Sequence, residues 1–240
     1  MYYIGLISGT SMDAVDAALV EFDKKAVVKL YNEYPFEISV KNQIRQINEK
    51  SNLIDVAMLD NKLGYIFADA ANDLIKQANI NSNQVAAIGS HEKTILHVPT
   101  ITEKTSIQIS DPNIICAQTD IVTVADFRRM DMAFGGEGAP LASSFHKYQF
   151  KESDESVVVL NIGGFANVTL LPCDKNKIIG FDTGPGNALL DDWIRQNKNV
   201  EYDKDGIWAN SGKVDNELLE LLLKDKYFSL SIPKSTGREY

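Results

Sequence analysis

Short apolar runs set the pattern of this chain. The run at residues 2–7 reads as a β-strand, and the run at 15–20 as its antiparallel partner. Residues 25–35 continue the meander as a third strand. Residues 39–49 read as a short polar helix with Ser39 as its N-cap. Between 53 and 78 the spacing of Leu59, Leu63, Ile66, Phe67, Ala70, Leu74 and Ile75 follows a 3.6-residue period, which predicts a long helix packed on a sheet, with Gly64 a point of close packing. Residues 85–90 are continuously apolar, as in a parallel strand covered on both faces, ending at His91. Residues 106–109 read as strand, Asp111-Pro112 as a cap with Pro at the first helical position of 113–119, and 121–125 as another buried strand.

The second half repeats the opening idea. An apolar strand at 157–161, a glycine turn at 162–166 and a return strand at 167–171 precede a strand at 178–181. A turn at 182–187 then feeds a helix at 188–196, and 214–223 gives one more. Strands alternating with helices predict an α/β fold, in which ligands gather at the carboxyl ends of parallel strands. His91 and Asp126 are expected at such ends. Two strand–glycine turn–strand units imply a duplicated architecture with two facing domains, expected at 1–150 and 151–240 with the polar run 151–156 at the boundary.

A chain of 240 residues with 44% hydrophobic and 24% charged residues can bury a sizeable core. Its net charge of −9 argues against nucleic acid as the main ligand. Cys116 and Cys173 form no metal-ligand pattern with the three histidines and are expected to be small buried residues. No signal peptide and no membrane span is visible, so a cytoplasmic protein is expected.

Candidate chemistry clusters in three places. The loop from Ser8 through Gly9, Thr10, Ser11, Met12 and Asp13 to Ala14 is small and hydroxylated, so its backbone amides can approach a phosphate closely. Asp13 and Asp16 would repel that phosphate unless a divalent cation lay between, as Mg²⁺ does in nucleotide sites. A polar, solvated hairpin loop fits the same residues. In the run 124–140, Asp126 can accept a proton while Arg128 and Arg129 bind an anionic group, with the glycines 135, 136 and 138 behind them. An Asp–Arg pair that merely ties a strand end to a loop fits equally. Asp182 can hold a metal or a phosphate-bound water, or cap the helix that follows. A glycine-containing turn opening into that helix also suits an anion. His97, His146, Trp193 and Trp208 read as structural.

The run Gly9-Thr10-Ser11-Met12-Asp13, the segments ADFRR and GGEGAPL, and NIGGFANVT with GFDTGPGNALLD resemble the anhydro-N-acetylmuramic acid kinases. The matches run from near Met1 to Tyr240. The resemblance implies a two-lobed actin-like (ribonuclease H-like) ATPase fold of the actin/hexokinase/Hsp70 type. It implies ATP and Mg²⁺ as cofactors and 1,6-anhydro-N-acetylmuramic acid as substrate. The expected reaction phosphorylates the 6-hydroxyl and opens the anhydro ring with water, giving N-acetylmuramic acid 6-phosphate in cell-wall recycling; a homodimer is implied too. Carried over by residue, Asp126 is the base that activates the water. Gly9 to Asp16, Val15 included, form the ATP-phosphate loop with Asp13 at the metal. Gly163 and Gly164 close on the phosphates, Asp182 and Gly184 belong to the same cleft, and His91 and Arg128 contact the sugar. The chain departs from the family pattern with Ala14 for Gly and Glu92-Lys93 for Gly-Gln. It also stops where that pattern continues, so the second lobe is expected to be incomplete. A non-catalytic remnant that binds the sugar or a partner subunit is the competing expectation.

Overall fold

The computed structural model describes residues 1–9, 14–48, 50–98, 104–150, 155–173 and 178–237. Contacts divide the chain into two units, Met1–Gly138 and Ala139–Tyr240.

In the first unit, β1 (Tyr2–Ser8), β2 (Ala14–Phe22) and β3 (Ala26–Pro35) form the expected antiparallel meander, with Ile7 opposite Asp16 and Ala14 opposite Pro35. One face of the hairpin, carrying Ile4, Leu6, Val15, Ala17 and Leu19, enters the core. Helix α1 (Ile38–Gln46) begins one residue earlier than the serine expected to cap it. Ser39 lies inside the first turn and Glu37 is the N-cap, because burying Val40 and Ile44, four residues apart, sets the helix phase. The long helix α2 (Leu53–Gln77) is capped by Asn52, whose side chain accepts from the Ile54 amide at 2.9 Å. Leu59, Leu63, Phe67, Ala70, Leu74 and Ile75 are buried along it as the period predicts. At Gly64 a β-carbon would stand 3.1 Å from the Asp111 carbonyl and from Ile114 Cβ, so the glycine lets α3 (Pro112–Thr119) come close.

Strand β4 (Val85–Val98) pairs in parallel with β1, as the continuous apolar run predicts. It does not end at His91. Beyond a register shift near Glu92 it runs on, antiparallel to β5 (Thr105–Ile109), because β5 supplies backbone partners for the polar second half. Asp111 caps α3 by accepting from the Asn113 amide. The strand expected at 121–125 is short: β6 (Thr123–Val124) pairs in parallel with Ile88 and Gly89, and α4 (Phe127–Ala133) follows at once. The sheet order is β3-β2-β1-β4-β5, with β6 against β4.

The second unit carries α5 (Ser143–Phe150), then β7 (Val157–Ile162), β8 (Phe165–Leu171) and β9 (Ile179–Pro185) in an antiparallel sheet ordered β7-β8-β9. Helices α6 (Asn187–Lys198), α7 (Ile207–Asn210) and α8 (Asn216–Leu222) complete it. The division between units falls earlier than residue 150 because α5 packs on β8: His146 Nδ1 lies 2.8 Å and Ser143 Oγ 3.3 Å from Thr169 Oγ1. Residues 182–185, expected as a turn, are strand, since Asp182, Gly184 and Pro185 pair with Asn167, Ala166 and Phe165. Both cysteines, expected to be buried, are free and exposed. Among the described residues no helix is long and apolar enough to cross a membrane.

Candidate active site

Because β1, the first half of β4, and β6 run in parallel, their carboxyl ends meet at one edge of the sheet. Gly9 follows β1, His91, Glu92 and Lys93 lie where β4 shifts register, and Asp126 follows β6. Asp126 takes a left-handed backbone (φ 60°) as N-cap of α4. That conformation is uncommon outside glycine, and Asp is among the side chains that tolerate it. It brings Arg129, three residues on, back to Asp126. Arg129 Nε donates to Oδ1 at 2.8 Å and Nη2 lies 2.6 Å from Oδ2. The fork occupies one lone pair on each oxygen and leaves another on each. The Asp126 side chain is 41% exposed, so solvent water reaches it.

The neighbours are held firmly. Arg128 Nη1 donates to the Gly138 carbonyl at 2.7 Å, and Asp131 Oδ2 accepts from the Gly138 amide at 2.8 Å. These bonds fold the glycine segment back on α4, and a β-carbon at Gly136 would sit 2.1 Å from Asp131 Oδ2, so a larger residue there would push the Asp131 carboxylate off the Gly138 amide. The His91 ring stacks on Phe127, centroids 6.2 Å apart and planes 10° apart. Burial, with Arg128 adding repulsion, lowers the His91 pKa to about 4. A neutral imidazole at this edge suits a hydroxyl rather than an anion. Glu92 is buried, its Oε2 3.4 Å from the Asp126 amide that donates to it. The buried Lys93 ammonium donates to the Gly9 carbonyl. Through these adjacent residues the sheet edge joins Gly9 to Asp126.

The hairpin residues of the expected phosphate loop divide. Thr10, Ser11, Met12 and Asp13 lie outside the described residues. Val15 is fully buried and belongs to the core, so its side chain faces no ligand. Ala14 opens β2 opposite Pro35. Asp16 points away from the core, between buried Val15 and Ala17, and its Oδ1 accepts from the Tyr31 hydroxyl at 2.6 Å. The residues present fit a phosphate. Space is open around the position a β-carbon would take at Gly9, and Ser8 Oγ is buried with no hydrogen-bond partner among the described residues. Among the described residues no group of three or more His, Cys, Asp and Glu gathers as a metal site. A Mg²⁺ held by one or two carboxylates and by substrate phosphates needs no such group, and Asp16 is a carboxylate of that kind.

In the second unit the β7–β8 turn and the start of α6 are bound to each other. The amides of Gly186 and Ala188 donate to the Gly164 carbonyl at 2.9 and 3.1 Å, and the Asn187 amide to the Gly163 carbonyl at 2.7 Å. The helix N-terminus, expected as an anion site, thus spends these amides on the turn. Asp182 neither caps α6 nor stands open to a ligand. It is buried, and its Oδ2 accepts from Ser235 Oγ at 2.8 Å and from the Thr236 amide at 3.0 Å, while its carbonyl accepts from the Tyr227 hydroxyl at 2.7 Å. Gly184 (φ 144°) lies against Phe228, where a β-carbon would approach the ring to 3.1 Å. Both residues tie β9 to the segment after α8. Sequence reading met Glu92-Lys93 only as a departure from the family pattern and the Asp126–Arg129 pair only as an alternative tie between strand end and loop. It did not see the contact of Glu92 with the Asp126 amide or of Lys93 with the Gly9 carbonyl.

A small-residue hairpin and a carboxylate at the end of a parallel strand define an α/β protein with its candidate site on one sheet edge. The family model of anhydro-N-acetylmuramic acid kinase matches residues 1–240. The chain belongs to that family. It is 46% identical over 242 residues to the anhydro-N-acetylmuramic acid kinase of Shewanella loihica and 49% identical over 241 residues to that of Coxiella burnetii, covering 99% of this chain in each case. It spans 65% and 64% of the length of those relatives. Among solved structures, a ROK family glucokinase from Streptomyces griseus in complex with glucose and AMPPNP covers 74% of this chain and 46% of its own, at 12% identity and a TM-score of 0.36.

Proposed function

We propose that this chain carries the catalytic edge of an ATP-dependent kinase that phosphorylates the 6-hydroxyl of 1,6-anhydro-N-acetylmuramic acid while water opens the anhydro ring, giving N-acetylmuramic acid 6-phosphate in cell-wall recycling in the cytoplasm. Family membership over residues 1–240 supports the reaction class. The observation that carries the residue assignment is Asp126, a solvent-accessible carboxylate at the end of a parallel strand, oriented through both oxygens by Arg129.

In this reading a water oxygen bonds to the anomeric carbon as Asp126 takes its proton. The bond from that carbon to the bridging oxygen breaks, and the freed 6-oxygen bonds to the γ-phosphorus of ATP while ADP leaves. Arg129 holds the Asp126 carboxylate in one orientation and stabilises its charge before the proton arrives. His91, kept neutral, is placed to hydrogen-bond a sugar hydroxyl, and Arg128 places positive charge beside the sugar carboxylate. In the first unit the small-residue loop from Gly9 holds phosphate, with Asp13 and Asp16 as the carboxylates toward Mg²⁺. When bound, Mg²⁺ supplies charge neutralisation at the phosphates.

A coupled ATPase assay with and without the anhydro sugar tests this reading, together with Asp126→Asn. Turnover is expected to require the sugar and to fall by about a hundredfold or more in the variant, the range for loss of a general base. Turnover that ignores the sugar, or that survives the substitution, refutes it.

A further inference from the structure

Glu92 stands out beside the proposed base. It is a non-glycine residue with a left-handed backbone (φ 62°), a conformation that costs strain and persists only where the surroundings impose it. Its carboxylate is buried at the shift in β4 and accepts from the Asp126 amide. The charges that reach it come from two directions: Asp126 and Arg129 from the β6–α4 junction, and Asp60 from α2; the neighbouring Lys93 of β4 turns to the Gly9 carbonyl. A strained, buried acid aimed at the backbone of an exposed acid is costly for the fold.

We infer that Glu92 is a positioning residue for Asp126, fixing the Asp126 backbone at the head of α4 and setting the charge beside its carboxylate. This rests on the reading of Asp126 as the base. Burial raises the Glu92 carboxyl to about 7, the Asp126 amide and Arg129 opposing, and the Asp126 and Asp60 charges reinforcing the shift. Around neutrality Glu92 therefore changes charge. Once ionised, it accepts the Asp126 amide hydrogen bond as a charged acceptor and holds that backbone more firmly. Protonated, it leaves Asp126 to Arg129 alone.

The test follows the Asp126 amide resonance of the 240-residue chain by NMR from acid to mildly alkaline pH, in wild type, Glu92→Gln and Glu92→Gly. The wild-type amide is expected to shift with a midpoint at about 7, and both variants to lose that inflection. Glu92→Gly also relieves the backbone strain, so it is expected to stay folded should the amide variant fail to. A wild-type amide without the inflection, or a variant that keeps it, overturns the inference. In the sugar-dependent assay, Glu92→Gln is expected to lower kcat several-fold above neutrality, to the level wild type shows in acid, with KM for ATP unchanged. An equal loss at every pH, or a rise in KM alone, also overturns it. The amide titration does not depend on turnover. Its presence in a chain that shows no sugar-dependent turnover thus marks failure of the kinase reading, and its absence marks failure of the Glu92 contact.

Discussion

His91 and Glu92 are consecutive in β4, and burial drives both toward the neutral form in opposite senses of pH. The Glu92 carboxyl rises from 4.5 to about 7, while His91 and His97 fall from 6.5 to about 4. For Glu92 the folded value lies above the unfolded one, so its contribution is complete below about pH 4.5 and is lost as pH rises through about 7. For the histidines the folded value is depressed, so their contribution is complete above pH 6.5 and is lost as pH falls through about 4. The histidines are common to wild type and variant, so the difference between them isolates Glu92. Urea unfolding is expected to show Glu92→Gln gaining on wild type by roughly 3 kcal/mol between acid and mildly alkaline pH. A difference that stays constant with pH would show that Glu92 titrates normally. The candidate carboxylates divided by environment in a way no residue-by-residue reading separates. Asp126 stays exposed and oriented, Glu92 is buried beside it, and Asp182 is sealed by Ser235 and Thr236.

Elements whose causes are local were legible in the chain. The apolar period of α2, the Asp111-Pro112 start of α3 and the two apolar hairpins appear where spacing and cap chemistry place them. Elements that end where a distant partner ends were not: β4 outruns its apolar stretch to meet β5, and β9 extends through Pro185 along β8. Two glycines test such contacts. Ala in place of Gly64 gains about 1 kcal/mol of helix propensity. Its methyl, however, meets the Asp111 carbonyl, which belongs to the cap of α3 and yields poorly, so overpacking of about 1–3 kcal/mol wins. Gly64→Ala is therefore expected to lower the urea midpoint, and a raised midpoint would show that α2 and α3 slide apart freely. At Gly186 a β-carbon would stand 2.2 Å from the Gly163 carbonyl, which no side-chain movement relieves. Gly186→Ala is expected to break the bonds between the α6 start and the β7–β8 turn. Loss of slow hydrogen exchange at Asn187 and Ala188 would register the break, and unchanged protection there would contradict it.

At the scale of the whole chain the buried apolar core is unevenly shared. The described core cluster, from Ile4 to Ile121, lies entirely in the first unit. The described buried apolar residues of the second unit are Leu171, Ala188, Ile194 and Tyr227. Large side chains such as Val158, Leu160, Leu189, Leu190 and Trp193 remain exposed there. Both tryptophans, Trp193 and Trp208, belong to the second unit, so their fluorescence reports that unit alone. The fluorescence transition in urea is expected at lower denaturant than the main far-ultraviolet circular-dichroism transition, because less apolar area is withdrawn from water there. Coincident curves would show that the units unfold together.

The sequence by itself determined the elements that hydrophobic period and cap chemistry specify, the α/β class they compose and the family to which the chain belongs, since each depends on residues a few positions apart or on motifs read directly. The tertiary structure alone decided which charged groups are buried, which amides the start of α6 has already committed, and which carboxylate stands beside Asp126. Those outcomes depend on desolvation and on hydrogen-bond partners that lie tens of residues away along the chain, and no local pattern encodes them.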